Sequence, residues 1–123
     1  MKFLKQLSIL FITITIITFN PLASSAEFYN GNDLVKDMQE YEKVGRGDKN
    51  TNCVSDGMYM GYITGVYDAT HGLYDAPEGL IVKQLCSIVA KYLNEHPERW
   101  SEPAASLVID AIRKAYPKKK KRK

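Results

Sequence analysis

Residues 53–70 read CVSDGMYMGYITGVYDAT, and the fold turns on how this stretch is read. Small residues recur at every fourth position (Cys53, Gly57, Gly61, Gly65 and Ala69), with Val54, Met58, Tyr62 and Val66 in the row beside them. A spacing of four places each row along one face of an α-helix. The Tyr, Ile and Val content of residues 59–67 also suits a strand, which is the competing reading. Three glycines inside a helix cost roughly 1 kcal/mol each against alanine, and close approach of a second helix is what would offset that cost. Glycine at this interval is best known from membrane helices, but Asp56, Asp68 and the short span argue against a bilayer. The stripe of Gly57, Gly61, Gly65 and Ala69 is therefore expected to pack inside a bundle, with a homodimer interface as the second reading.

Working outward, residues 45–52 form a polar loop. Upstream of it, Gly31-Asn32-Asp33 offers an N-cap to a helix carrying Leu34, Met38 and Tyr41 on one face. Downstream, residues 71–79 (HGLYDAPEG) read as a loop. They lead into a third helix with Val82, Leu85, Cys86, Val89 and Leu93 on one side, which His96-Pro97 ends. Ser101 is the expected cap of a fourth helix, whose stripe is Ala104, Leu107, Val108, Ala111, Ile112 and Ala115. The expected fold class is all-α: a small bundle of four helices, or five, in a single domain.

The chain ends carry the charge. Of 123 residues, 17 are Lys or Arg and 14 are Asp or Glu, a net charge of +3. Residues 118–123 are KKKKRK, while residues 27–117 hold nine bases and all fourteen acids. A mildly acidic body between basic ends is poor support for a nucleic-acid-binding surface. At the other end Lys2 and Lys5 precede an apolar run at residues 7–19. Pro21 follows, then Ser24 and Ala26 as small residues three and one before a cleavage point. This is the order of a secretory signal, and the run is shorter than the roughly 20 residues that span a bilayer. Residues 1–26 are expected to be a cleaved signal peptide, 27–117 the helical domain, and 118–123 a disordered basic tail. Export implies an oxidising compartment, so Cys53 and Cys86 are expected to form one disulfide. It would close a loop worth roughly 3–4 kcal/mol.

No catalytic constellation is legible. His71 and His96 lack motif partners, neither Cys has a nucleophile's surroundings, and no metal-ligand spacing or phosphate loop occurs. No enzyme activity, metal or cofactor is expected. The basic tail reads first as solvated charge, and second as a weak attraction to anionic lipid or envelope polymers.

Five motifs in order resemble one family. They are Phe28-Tyr29-Asn30-Gly31-Asn32-Asp33-Leu34, Gly61-Tyr62-Ile63-Thr64-Gly65-Val66-Tyr67-Asp68-Ala69, Pro77-Glu78-Gly79 with Gln84-Leu85, Lys91-Tyr92-Leu93-Asn94-Glu95-His96-Pro97-Glu98, and Pro103-Ala104 through to Pro117. Together they resemble the Rap/Tai-type immunity proteins of bacterial type VI secretion systems. The resemblance implies a periplasmic helical bundle, often a homodimer, that occludes the cleft of an injected peptidoglycan amidase. On that reading the contacting loop is His71, Leu73, Tyr74, Asp75 and Glu78, with Tyr74 and Asp75 foremost. The family's usual cysteine positions are not cysteine here; residues 59–61 read YMG and Lys118 follows the last Pro. The alternatives are an HdeA-like periplasmic acid-stress chaperone, which is also small, exported, helical and held by one disulfide, or a structural envelope protein.

Overall fold

The computed structural model describes residues 1–3 and 28–119. The signal-peptide reading and the last four residues of the basic tail lie outside the described residues. Four α-helices make up the body: α1 (Gly31–Arg46), α2 (Cys53–Thr70), α3 (Val82–Glu95) and α4 (Ala104–Ala115), with short 3-10 turns at His71–Leu73 and Pro97–Arg99. The competing strand reading of residues 59–67 does not hold; they lie within α2. Among the described residues, no helix is long and apolar enough to cross a membrane.

Local chemistry sets each helix end. Asn30 is the N-cap of α1: its side-chain oxygen accepts from the backbone N–H of Asn32 (2.9 Å) and Asp33 (3.2 Å), and Asp33 accepts in return from the Asn30 N–H (3.2 Å). The helix stops at Gly47, whose φ of 77° needs a residue without a Cβ. Asn52 caps α2 in the same way through Val54 and Ser55, while its own N–H donates to Glu40 on α1 (2.9 Å). Ser101 does not cap α4 as its sequence suits it to do. The Gly31 N–H donates to the Glu102 carbonyl (2.9 Å) and the Ala104 N–H to the Tyr29 carbonyl (3.1 Å). That antiparallel bridge holds Pro103 extended (ψ 129°), so the helix starts at the next residue, Ala104.

Packing follows the apolar stripes. Helix α1 lies against α2, α3 against α4, and α2 touches both α3 and α4. The core is built from Leu34, Val35 and Met38 of α1, Tyr59 and Ile63 of α2, the inward faces of α3 and α4, and Tyr74. Only two residues of the 18-residue α2 are buried.

Two expectations are corrected here. First, the disulfide is not formed: Cys53 and Cys86 are both free. Cys86 is fully enclosed in the core, whereas Cys53 opens α2 on its exposed row. Tyr59, from the opposite face of α2, is what reaches Cys86, donating its hydroxyl hydrogen to the Cys86 carbonyl (2.9 Å). The two thiols therefore lie on different sides of the helix, and the bundle is held by packing rather than by a staple. Second, the glycine stripe does not pack within the bundle. A Cβ placed on Gly57, Gly61 or Gly65 would meet nothing within 4 Å, and with Ala69 these residues face outward. The glycine of close approach is Gly31 instead.

The loop between α3 and α4 is tied down by Arg99. Its guanidinium forks onto Glu102 (2.8 and 2.6 Å), reaches Asp110 of α4 (2.8 Å) and donates to the Tyr92 hydroxyl of α3. Only a planar five-donor group serves all three partners. The hydrogen bonds from Arg99 hold the Glu102 carboxyl below its ordinary value. The folded-state pKa is thus the lower one, so this stabilisation is present above the ordinary carboxylate range and lost as pH falls through the folded value. Arg99→Lys is expected to lower Tm by roughly 2–5 °C at pH 7. The gap should close as the solution is acidified, and thermal scans at pH 7 and pH 3 check both.

Candidate functional site

The segment between α2 and α3 is long and free of α-helix, yet it is pinned at several points. Tyr74, which leads the residues expected to contact a partner, is 5% exposed. Its ring stacks on Tyr67 (centroids 5.9 Å apart, 7° between planes), and its hydroxyl lies 2.6 Å from the Thr70 hydroxyl. Its backbone pairs with Pro117 at the end of α4. Tyr74 thus acts as the peg that fixes the loop, and its ring is not offered to solvent.

The other residues named from the sequence sit around that peg. His71, Leu73, Asp75 and Glu78 are all exposed. The His71 ring meets the Asp68 carbonyl through Nδ1 (3.0 Å). Leu73 is 42% exposed, a large apolar side chain presented by the 3-10 turn. The Asp75 N–H donates to the Tyr116 carbonyl (3.3 Å), and its carboxylate accepts from the Lys119 N–H (2.6 Å). Gly79, at φ 81°, makes the turn back toward α3. The loop is therefore presented in one conformation, with Leu73 and the acids outward. Ordering it on binding costs little, which is the physical advantage of a preorganised docking element.

A second outward surface runs along α2. Val54 is 74% and Met58 50% exposed, beside the bare row of Cys53, Gly57, Gly61, Gly65 and Ala69. Helices this apolar on every side are ordinarily buried, and that is the signal that such a face exists in the sequence. Ile81 and Val82, also exposed at the start of α3, carry no such signal.

The chemistry available is that of contact. Among the described residues, no group of three or more His, Cys, Asp or Glu side chains is placed to hold a metal ion. Burial pushes the Cys86 thiol up to about 11, which keeps it protonated and unreactive at neutral pH. His96 meets Glu98 (3.1 Å) on the surface of the α3–α4 connection.

A family model described as Rap1a immunity proteins matches residues 30–117. The chain belongs to this family. No curated protein matches it. The matched stretch begins at the Asn30 cap and ends at Pro117, the residue paired with Tyr74. The Rap1a-type domain is thus the four-helix bundle with both of its backbone bridges, Asn30 with Pro103 and Tyr74 with Pro117. The four-helix, strand-free architecture expected from the sequence is the one found among the described residues. Membership in an immunity family implies a toxic effector as partner.

Proposed function

We propose that this chain is exported to the periplasm and there binds a peptidoglycan amidase delivered by a type VI secretion system, blocking its cleft without chemistry of its own. The observation that carries the reading is the pinned loop of residues 71–78 within a Rap1a immunity domain. A segment tied to the bundle through Tyr74, with Leu73 exposed beside Asp75 and Glu78, supports docking into an enzyme cleft. Leu73 is the side chain that enters, with Asp75 and Glu78 at the rim and Tyr74 holding the geometry from below.

The test uses a purified type VI peptidoglycan amidase from the same genome as probe, with isolated peptidoglycan as substrate. Stoichiometric loss of hydrolysis on adding the chain supports the reading, and full activity at a large excess of chain overturns it. Within that assay, Leu73→Arg is expected to weaken inhibition by about tenfold or more, equivalent to about 1.4 kcal/mol, while leaving Tm unchanged. A lost Tm would show instead that Leu73 serves the fold.

A further inference from the structure

Pro117 ends α4 and brings the chain back onto the loop. The last turn of the helix closes with the Tyr116 N–H donating to the Ile112 carbonyl (2.8 Å). Tyr116 precedes a proline and leaves the helical region (φ −131°, ψ 69°), and Pro117 has no N–H with which to continue. The backbone then pairs antiparallel with the loop, Pro117 opposite Tyr74. On either side of that bridge the same two segments meet again. The Asp75 N–H donates to the Tyr116 carbonyl (3.3 Å), the Lys118 ammonium donates to the Gly72 carbonyl, and the Lys119 N–H donates to the Asp75 carboxylate (2.6 Å).

These contacts fall on both sides of Leu73. The Gly72 carbonyl belongs to the peptide unit that joins Gly72 to Leu73, and a glycine leaves its backbone freer to rotate than any other residue. Holding that oxygen fixes the direction in which Leu73 leaves the 3-10 turn. Beyond Leu73, Tyr74 is pegged by its ring on Tyr67, and Asp75 is held through both its N–H and its carboxylate. A carboxylate accepting from an N–H makes a stronger bond than a neutral acceptor does. Gly72, Asp75, Lys118 and Lys119 are all exposed, so their contacts add little to the global stability of the bundle. What they set is the local conformation of the loop, which opens at far lower cost than the whole domain.

We propose that Lys118 and Lys119 form, with Asp75, a strap that fixes the direction of Leu73, and that Asp75 is a positioning residue acting through the Lys119 N–H. Asp75 stands at the rim of the loop, but its carboxylate serves the loop's own geometry rather than the partner. The effect of the strap on inhibition rests on the reading of residues 71–78 as the docking loop; the strap itself does not. Losing it would leave the fold intact and return the entropy of ordering Leu73 to the moment of binding.

The full chain as purified is compared with Asp75→Ala, Asp75→Asn, a chain ending at Pro117, and a chain with residues 120–123 changed to Gln. The first readout needs no amidase: the rate of chymotrypsin cleavage after Leu73, sited by mass spectrometry. Asp75→Ala and the chain ending at Pro117 are expected to be cut there about tenfold faster, because cleavage follows the population of the open loop. Their Tm should move by less than about 2 °C, since the lost contacts are exposed. Asp75→Asn keeps an acceptor oxygen and should stay within about threefold of the parent. The Gln chain keeps the strap and should match the parent. In the amidase assay the same order is expected, with Asp75→Ala about tenfold weaker, equivalent to about 1.4 kcal/mol, and Asp75→Asn recovering most of the loss. Parent-like cleavage of Asp75→Ala and of the shortened chain overturns the strap. So does rapid cleavage of the Gln chain, which would assign the hold to the terminal bases. Inhibition by Asp75→Asn as poor as by Asp75→Ala, with its cleavage still slow, would make Asp75 a charged contact and overturn the positioning role. Failure of the parent chain to inhibit would overturn the docking reading instead, and the cleavage rates would still decide the strap.

Discussion

Tyr59→Ala is expected to lower the unfolding free energy by about 4 kcal/mol, because Tyr59 is the largest fully buried side chain among the described residues. Tyr59 is fully buried at the centre of α2, its ring 5.1 Å from that of Tyr41, with its hydroxyl on the Cys86 carbonyl of α3. It therefore joins three helices. Removing the ring opens a cavity against rigid neighbours, and the cost adds lost apolar transfer to lost packing. A domain of this size has only about 5–15 kcal/mol in total, and no disulfide in this bundle offsets the loss. Urea unfolding at neutral pH measures it, and a change below about 1 kcal/mol would show that the Tyr59 site is not closed in solution. Tyr59→Phe separates the parts. It keeps the ring and removes one hydrogen bond, so about 1 kcal/mol is expected.

Gly31→Ala is the second large effect, and it is the less intuitive one. Alanine is the better helix former, so propensity alone predicts a gain at this first position of α1. Space decides otherwise. A Cβ on Gly31 would stand 2.6 Å from the Trp100 carbonyl oxygen, 2.8 Å from the Trp100 Cα and 2.6 Å from Cδ1 of Leu107. The leucine tip can move, but the Trp100 backbone is held, since the indole N–H of Trp100 donates to the Leu93 carbonyl (2.9 Å) and its neighbours pair with residues 29–31. Relief requires α1 to back away from the α3–α4 connection, which breaks the Gly31–Glu102 hydrogen bond. A loss of about 3 kcal/mol is expected, at the upper end for overpacking. Chemical denaturation checks it against Gly61→Ala, which has open space and should gain stability by up to about 1 kcal/mol. The opposite signs at two glycines of the same protein would locate the close approach at Gly31.

The helical segments were legible because their signals are local. The apolar spacing in α3 and α4, the stop at His96-Pro97 and the loop at residues 71–79 depend only on neighbours three or four places away. The five ordered motifs carried the family for the same reason. The candidate loop was also found from the sequence, since Gly and Pro punctuate it. Which of its side chains point outward was not legible. Tyr74 reads as an exposed anchor until Tyr67, Thr70 and Pro117 are seen around it.

The sequence by itself determined the four helices, the polar loops between them, the acidic body with basic ends and the membership in an immunity family. Tertiary structure alone decided which face of α2 is inside. Both of its rows have helical periodicity, and only the positions of α1, α3 and α4 select Tyr59 and Ile63 over the glycine row. That single choice turned Cys53 away from Cys86 and left the glycines bare. It also decided where two distant segments meet, as in the pairing of residues 29–31 with 102–104 and the contacts of Lys118 with Gly72 and Lys119 with Asp75. Such contacts join residues far apart along the chain, and no local pattern encodes them.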